Sequence, residues 1–394
     1  MHTVRLTRRS ALLGLGAAFA YGGTSMAIAA AATDARFVVI IMRGALDGMA
    51  AVVPYGDPAL AALRAELMPG AVGTPGGMLD LGGFYGLHPA MPEMAAMYRA
   101  GELLPVHAVA GHYRSRSHFE AQDYLESGAD QRMTSGWLNR AVLAMPKVPG
   151  PEAALSVGMT TPLLMRGPAA IAAWAPPSFA QPEADLYARI AALNHADPLI
   201  GPAIAEGMRD RGFNTATLAA AEKPSQALAF PALADMAGRL LAAPTGPRVA
   251  ALELGGWDTH AGQMQRLVGP LGQLDAGLAA LKASLGDTWK RTAVLVMTEF
   301  GRTAHVNGTR GTDHGTGTVA FVAGGRVAGG RVLANWPGVA PDRLLEQRDL
   351  QPTIDLRSVA KGLLADHLGM SPSALAQIFP GSDGAAASRG LLRA

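Results

Sequence analysis

Cysteine is missing altogether from the 394 residues, so a disulfide framework, a thiolate metal site and thiol catalysis are all excluded. Any metal must be held by oxygen and imidazole ligands. Charge is scarce too: Asp, Glu, Lys and Arg make up 16% of the chain and the formal net charge is +2. No basic surface on the scale of a nucleic-acid binder follows from that balance. Aromatic residues are few at 6%, yet the 49% hydrophobic content rules out a disordered chain and predicts a sizeable core. Internal repeats are absent as well.

An apolar run of clean membrane length is also lacking. Residues 1–32 have a basic start, a Gly- and Ala-rich apolar stretch and a small-residue end, the layout of an export signal cleaved around Ala29 to Ala32. The Thr7-Arg8-Arg9-Ser10-Ala11-Leu12-Leu13 run resembles a twin-arginine signal, which makes the twin-arginine translocase an expected partner during export. Gly14, Gly16, Gly22 and Gly23 weaken the alternative of a retained anchor, so no stable membrane span is expected in the mature form. A periplasmic or secreted location follows. Loss of Arg5, Arg8 and Arg9 takes the net charge from +2 to −1.

What is present alternates between strand and helix patterns. Arg36 to Gly44 and Leu103 to Gly111 are continuous apolar runs that fit strands buried on both faces. Asp47-Gly48 makes a turn, Pro58 opens a helix, and Pro89 to Ala100 has helical spacing. Ser117 and Glu120 form an S-x-x-E capping box, predicting a helix from Ser117 through Glu126. Residues 146–247 are read as a largely helical insertion, with His195 isolated in it. The core resumes at Arg248, a long amphipathic helix spans Ala261 to Leu285, and a strand starts at Thr292. TVAFVAGG from Thr318 and the following GGRVLANWPG suggest a strand and hairpin, and Asp355 to Leu368 a final helix. The expected fold is a single α/β domain over 33–382, with a mixed, mostly parallel central sheet flanked by helices and a mobile tail at 383–394.

Four groups of residues carry candidate chemistry. Asp258 and His260, two apart after an apolar run, share one face in extended chain as metal ligation requires; the plain alternative is a helix cap and an exposed first-turn residue. Glu299 surfaces from VLVM, where an acid is costly unless it binds a cation or pairs with Arg302. Asp313 and His314 lie in GTRGTDHGTG, whose glycines permit close backbone approach. Ser115, Ser117 and His118 are nucleophile or acid–base candidates, with Asp123 a spare acid–base group and Arg114 and Arg116 as clamps for an anionic group; Ser117 as a simple N-cap competes. Asp47, just past the first strand, completes the set. Carboxylates with imidazoles suit zinc, manganese or iron, and carboxylates alone suit magnesium or calcium. All of these lie past strand ends, where an α/β sheet places its ligand crevice.

With those residues in hand, the chain resembles the exported bacterial family of domain of unknown function 1501. The matching pieces are the twin-arginine start, VVIIMRGALDGMAAVVPYGDP, GLHPAM, HYRSRSHFEAQDYLESG, GWLNRA, LGGWDTH, VMTEFGRT, GTDHGTG and DLQPTIDLRSVA. That family looks related to the alkaline phosphatase and sulfatase superfamily, which implies an alkaline phosphatase-like α/β sandwich with a two-metal site acting on phosphate or sulfate esters. The resemblance implies Asp47 as the early ligand, Ser115 or Ser117 as the nucleophile, Asp258 and His260 on one metal, Glu299 on the other and His314 as the late histidine. Arg114, Arg116 and Arg302 would then face the anionic ester, a small molecule or a polymer. Two departures stand out: Glu299-Phe300 occupies the place of an Asp-His pair, and neither serine has a diagnostic motif. Two functions are therefore expected to compete, an exported metal-dependent hydrolase and a non-catalytic binding or assembly protein on the same scaffold. A metal-free serine hydrolase is weaker, since no G-x-S-x-G elbow surrounds either serine.

Overall fold

A computed structural model describes residues 35–145, 153–175 and 229–393. The expected export signal, His195 and most of the expected helical insertion lie outside the described residues.

In chain order, strand β1 (Arg36–Met42) leads into a one-turn helix α1 (Gly48–Ala51), then β2 (Val52–Val53), α2 (Leu60–Arg64), β3 (Leu79–Asp80), β4 (Gly86–Leu87), α3 (Pro92–Arg99) and β5 (Leu103–Ala110). Next come α4 (His118–Ser127), α5 (Trp137–Ala144), β6 (Ala154–Val157), β7 (Ala172–Trp174), α6 (Phe230–Ala242) and β8 (Val249–Leu254). The last third holds α7 (Gln263–Arg266), α8 (Val268–Leu285), β9 (Thr292–Thr298), β10 (Thr318–Ala323), β11 (Ile354–Asp355), α9 (Leu356–Leu368) and α10 (Pro372–Ile378).

Eight strands make one sheet in the order β11-β5-β10-β9-β1-β8-β6-β7. Only β10 runs against its neighbours; every other pairing in the sheet is parallel. The mixed, mostly parallel sheet expected from the sequence is thus the observed one. Strand β1 shows why its sequence is apolar without alternation. Val38, Ile40 and Met42 enter the core on one face, packed with α3, α6 and α8, while Phe37, Val39 and Ile41 enter the core on the other, packed with α5, α9 and α10. A parallel strand covered by helices on both sides has no polar face to offer.

Several expectations are corrected. Residues 154–174, read as part of a helical insertion, instead add β6 and β7 to the main sheet beside β8; among the described residues of that stretch, α6 is helical as expected. The hairpin after Thr318 does not form, because β10 inserts between β5 and β9 and takes both as partners. The capping box is not made: α4 begins where predicted, but the Ser117 hydroxyl bonds no helix N–H and Glu120 accepts from the Tyr113 hydroxyl at 2.9 Å. The tail is not loose. Leu391 is fully buried and its carbonyl accepts from the Ala328 amide at 2.9 Å.

Candidate metal centre

The strands deliver their chemistry to one rim. The carboxyl ends of β1, β8, β9 and β5 lie on that rim with the start of the reversed β10, so residues after Met42, Leu254, Thr298 and Ala110 meet those before Thr318. Trp257 is fully buried and donates its indole N–H to the Leu254 carbonyl at 2.8 Å, and Thr259 is buried as well. Asp258, between them, is pushed to the surface. The nearest helix starts only at Gln263, so Asp258 is not its cap.

Three imidazoles converge on Asp258. His118 Nε2 and His314 Nε2 are 3.0 Å apart, as are His260 Nε2 and His314 Nε2. Asp258 Oδ1 lies 3.0 Å from His260 Nε2 and 3.3 Å from His314 Nε2, and Oδ2 lies 3.7 Å from His118 Nε2. The ligand atoms of His118, Asp258 and His314 all fall within 4.8 Å of one another. Ligands about 2.0 Å from a tetrahedral zinc are separated by roughly 3.3 Å, which is the spacing seen.

The opposite nitrogen of each ring settles what the facing one offers. His118 Nδ1 meets Glu299 Oε1 at 2.8 Å, His260 Nδ1 meets Asp313 Oδ1 at 3.1 Å, and His314 Nδ1 meets the Arg116 carbonyl at 2.9 Å. Those oxygens only accept, so each Nδ1 carries the proton and each Nε2 of a neutral ring presents a lone pair. Lone pairs 3.0 Å apart beside a carboxylate repel unless a proton or a cation lies among them. A proton can join one pair; a cation serves all of them. Carboxylate or carbonyl partners on the far nitrogen are also what orients and strengthens histidine ligands. The residues present therefore fit a divalent metal ion.

Charge leads to the same conclusion. The carboxyls of Asp258, Glu299 and Asp313 are all held below their ordinary range. Burial opposes ionisation at Asp258 and Glu299, and is outweighed by the Arg302 guanidinium at Asp258 and by the His118 and Gln122 hydrogen bonds at Glu299. At Asp313 the Asn307 hydrogen bond leads. Three carboxylates against the single buried guanidinium of Arg302 leave two negative charges, the charge of one divalent ion. The bond to Glu299 raises His118 against burial, whereas burial lowers His314.

Several site assignments change on these distances. Glu299 is not an open ligand: its side chain is fully buried and accepts from the Gly44 amide at 2.9 Å, Gln122 Nε2 at 3.0 Å, Thr298 Oγ1 at 2.9 Å and His118. It orients His118 instead. Gly44 makes its own bond with φ at +119°, a conformation that favours glycine, and an added Cβ would sit 2.8 Å from the Asp258 amide. Asp313 likewise orients His260. Asp47 is buried, caps α1 and is held by Arg64 and by Gln263 Nε2 at 2.6 Å, so it is a structural carboxylate and not a free ligand. Burial opposes its ionisation, and the Arg64 charge holds the carboxyl low.

Arg302 pairs with Asp258 at 2.6 Å and not with Glu299, and its fully buried side chain cannot clamp a substrate. Arg116 is engaged by Glu346 at 2.6 Å and Asp349 at 2.9 Å, and Arg114 turns to the Gly111 carbonyl. Ser115 Oγ contacts Glu120 at 3.4 Å, and neither serine bonds to the cluster. Asp123 pairs with Arg132.

His118, read as a nucleophile or acid–base group, lies instead with Asp258 and His314 in the group that could hold a metal ion. Its ring packs 4.8 Å from Phe300, so α4 supplies an imidazole beside the Glu299-Phe300 step where the chain itself has none. Gln122 was missed, although it lies four residues after His118 and so on the same helical face. Asn307 was missed too, and it donates to Asp313 at 3.0 Å from a loop with no helical or strand period to expose it. The open side of the centre is formed by Asp258, His260 and Asp313, about half exposed.

Among solved structures the chain is similar to the C-terminal periplasmic domain of EcEptC from Escherichia coli in complex with Zn, at 7% identity and a TM-score of 0.36, covering 77% of this chain and 76% of that one. No curated protein matches it. A family model described as "Protein of unknown function (DUF1501)" matches residues 87–379, which run from the end of β4 through all of α10 and include every imidazole and carboxylate of the centre. The chain belongs to that family.

Proposed function

We propose that this protein is an exported metal-dependent hydrolase of phosphate or sulfate esters whose centre holds one divalent ion, zinc by preference. The observation that carries it is the convergence of three Nε2 lone pairs on Asp258, each ring fixed from behind. An imidazole-rich set favours zinc over magnesium or calcium, and manganese is the nearest competitor. A bound ion would act as a Lewis acid on the ester oxygen and acidify water at its side. The chain's own part is to hold and orient: Glu299 and Asp313 fix His118 and His260, and Arg302 keeps Asp258 ionised. With both serines outside the cluster, water and not a side chain is the proposed nucleophile. Twin-arginine export to the periplasm belongs to the same proposal; among the described residues no helix is long and apolar enough to cross a membrane.

That neither Ser115 nor Ser117 contacts the cluster favours a second reading, an exported binding or assembly protein that keeps the ion without turnover. Metal analysis of purified protein loaded with zinc, followed by hydrolysis of p-nitrophenyl phosphate and p-nitrophenyl sulfate, separates them. One ion per chain, lost in Asp258→Ala and His314→Ala together with turnover, is the expected result. An ion without hydrolysis of either ester leaves the second reading. Turnover that survives loss of the ion rejects the mechanism.

A further inference from the structure

A buried carboxylate outside the centre is bonded to the residue whose carbonyl partners His314. Asp349 is fully buried, and its Oδ2 accepts from Arg116 Nε at 3.1 Å, Arg116 Nη2 at 2.9 Å and Thr316 Oγ1 at 2.8 Å. Arg116 belongs to the loop between β5 and α4, and its backbone carbonyl is the acceptor for His314 Nδ1. Thr316 belongs to the His314 loop. One carboxylate therefore ties together the donor ring's loop and the loop that carries its acceptor. Arg348 adds to the same clamp, with Nη2 on the His314 carbonyl at 2.7 Å and Nη1 3.3 Å from Asp349 Oδ1.

The other two rings are oriented by side chains, Glu299 and Asp313. His314 alone depends on a main-chain oxygen, and a loop carbonyl is only as fixed as its loop. Residues 111–117 form no helix or strand, so the carbonyl needs a tether. We infer that Asp349 is a positioning residue for the metal centre, acting through Arg116 to hold the His314 ring with its Nδ1 proton outward and its Nε2 lone pair toward Asp258. Asp349 bonds Arg116, Thr316 and Arg348 and none of the candidate ligand atoms. The inference rests on the reading of the cluster as a metal centre for its effect on affinity, but the orientation of the ring is testable without any metal.

The test uses the full chain as Asp349→Asn, Arg116→Ala and the double variant, with Glu346→Ala as control, since exposed Glu346 also pairs with Arg116. Side-chain nitrogen shifts of His314 in metal-free protein should report a single Nδ1–H tautomer in wild type and a mixture in Asp349→Asn. Zinc affinity, by competition with a chelator, should fall about 10- to 100-fold in Asp349→Asn and in Arg116→Ala. The double variant should be no worse than either single one, because both break one tether. The cobalt-substituted spectrum should shift in the same variants, and Glu346→Ala should match wild type. If Asp349→Asn folds poorly, Arg116→Ala carries the same expectation. An unchanged tautomer in both variants overturns the inference. Wild type that binds no divalent ion overturns the metal centre instead, while the tautomer result still decides the role of Asp349.

Discussion

Residues of one chemical type take opposite parts here according to what surrounds them. Asp258 is half exposed and shares its oxygens with the imidazoles, whereas Asp47 and Glu299 are enclosed and fully bonded. Asp47→Ala would leave the Arg64 guanidinium, 2% exposed, without its carboxylate. A loss of about 3–5 kcal/mol in urea unfolding is expected, with zinc stoichiometry of the folded fraction unchanged. Loss of zinc from folded Asp47→Ala would make Asp47 a ligand after all. Glu299→Gln removes a charge and replaces the carboxylate acceptor of the His118 Nδ1 proton with a weaker amide oxygen. Zinc affinity should drop roughly 10- to 100-fold by the same chelator competition, and equal affinity would show that His118 does not depend on Glu299. In sequence all three acids stood past strand ends and read alike, since nothing local says which of them will be enclosed.

At the level of elements, periodicity was a good guide and side-chain bonding was not. The start of α4 was correctly placed by S-x-x-E spacing, yet its serine caps nothing, whereas Ser371 accepts from the Ala374 amide at 3.2 Å. Ser371→Ala should therefore cost about 1 kcal/mol by chemical denaturation and Ser117→Ala less than about 0.5 kcal/mol. A reversed order would mean that the capping box forms in solution. The glycines of GTRGTDHGTG serve close approach: a Cβ on Gly315 would sit 2.4 Å from the Arg302 carbonyl carbon. Gly315→Ala should force apart the pairing of Arg302 with His314, costing about 1–3 kcal/mol in thermal unfolding and lowering zinc content. Retention of both would show that the loop yields elsewhere.

Over the whole molecule, three buried histidines far from the centre set the response to acid. Burial lowers His88, His107 and His367 to about 4. His107 shows why: Nε2 meets the Val52 carbonyl at 2.9 Å and Nδ1 accepts from the Ala108 amide at 2.8 Å, so a second proton has no acceptor. In the unfolded chain these rings bind a proton near 6.5 and in the folded one near 4, so between those values the unfolded state holds more protons. Stability is then full above about 6.5 and falls as the pH drops toward 4, each ring contributing on the order of 3 kcal/mol. Thermal midpoints of the apo protein measured from pH 7.5 to 4.5 should stay level down to about 6.5 and fall below it, and replacing His107 with Gln should flatten that fall. A midpoint that is level across that range would contradict the neutral, buried state of these rings.

By itself the sequence determined the central strands of the sheet and the address of the site. Apolar runs without alternation require strands covered on both faces, and acids and imidazoles that follow such runs must emerge at strand ends. The DUF1501 motifs were legible for the same reason, being short runs whose identity does not depend on neighbours far along the chain. Tertiary structure alone decided which of those residues share a point in space. The reversal of β10 brings His314 to the rim that β8 and β9 reach from the other direction, and α4 swings His118 in beside Glu299. That outcome depends on contacts between residues 54 to 196 positions apart. Such contacts follow from strand order and packing, which no local spacing encodes.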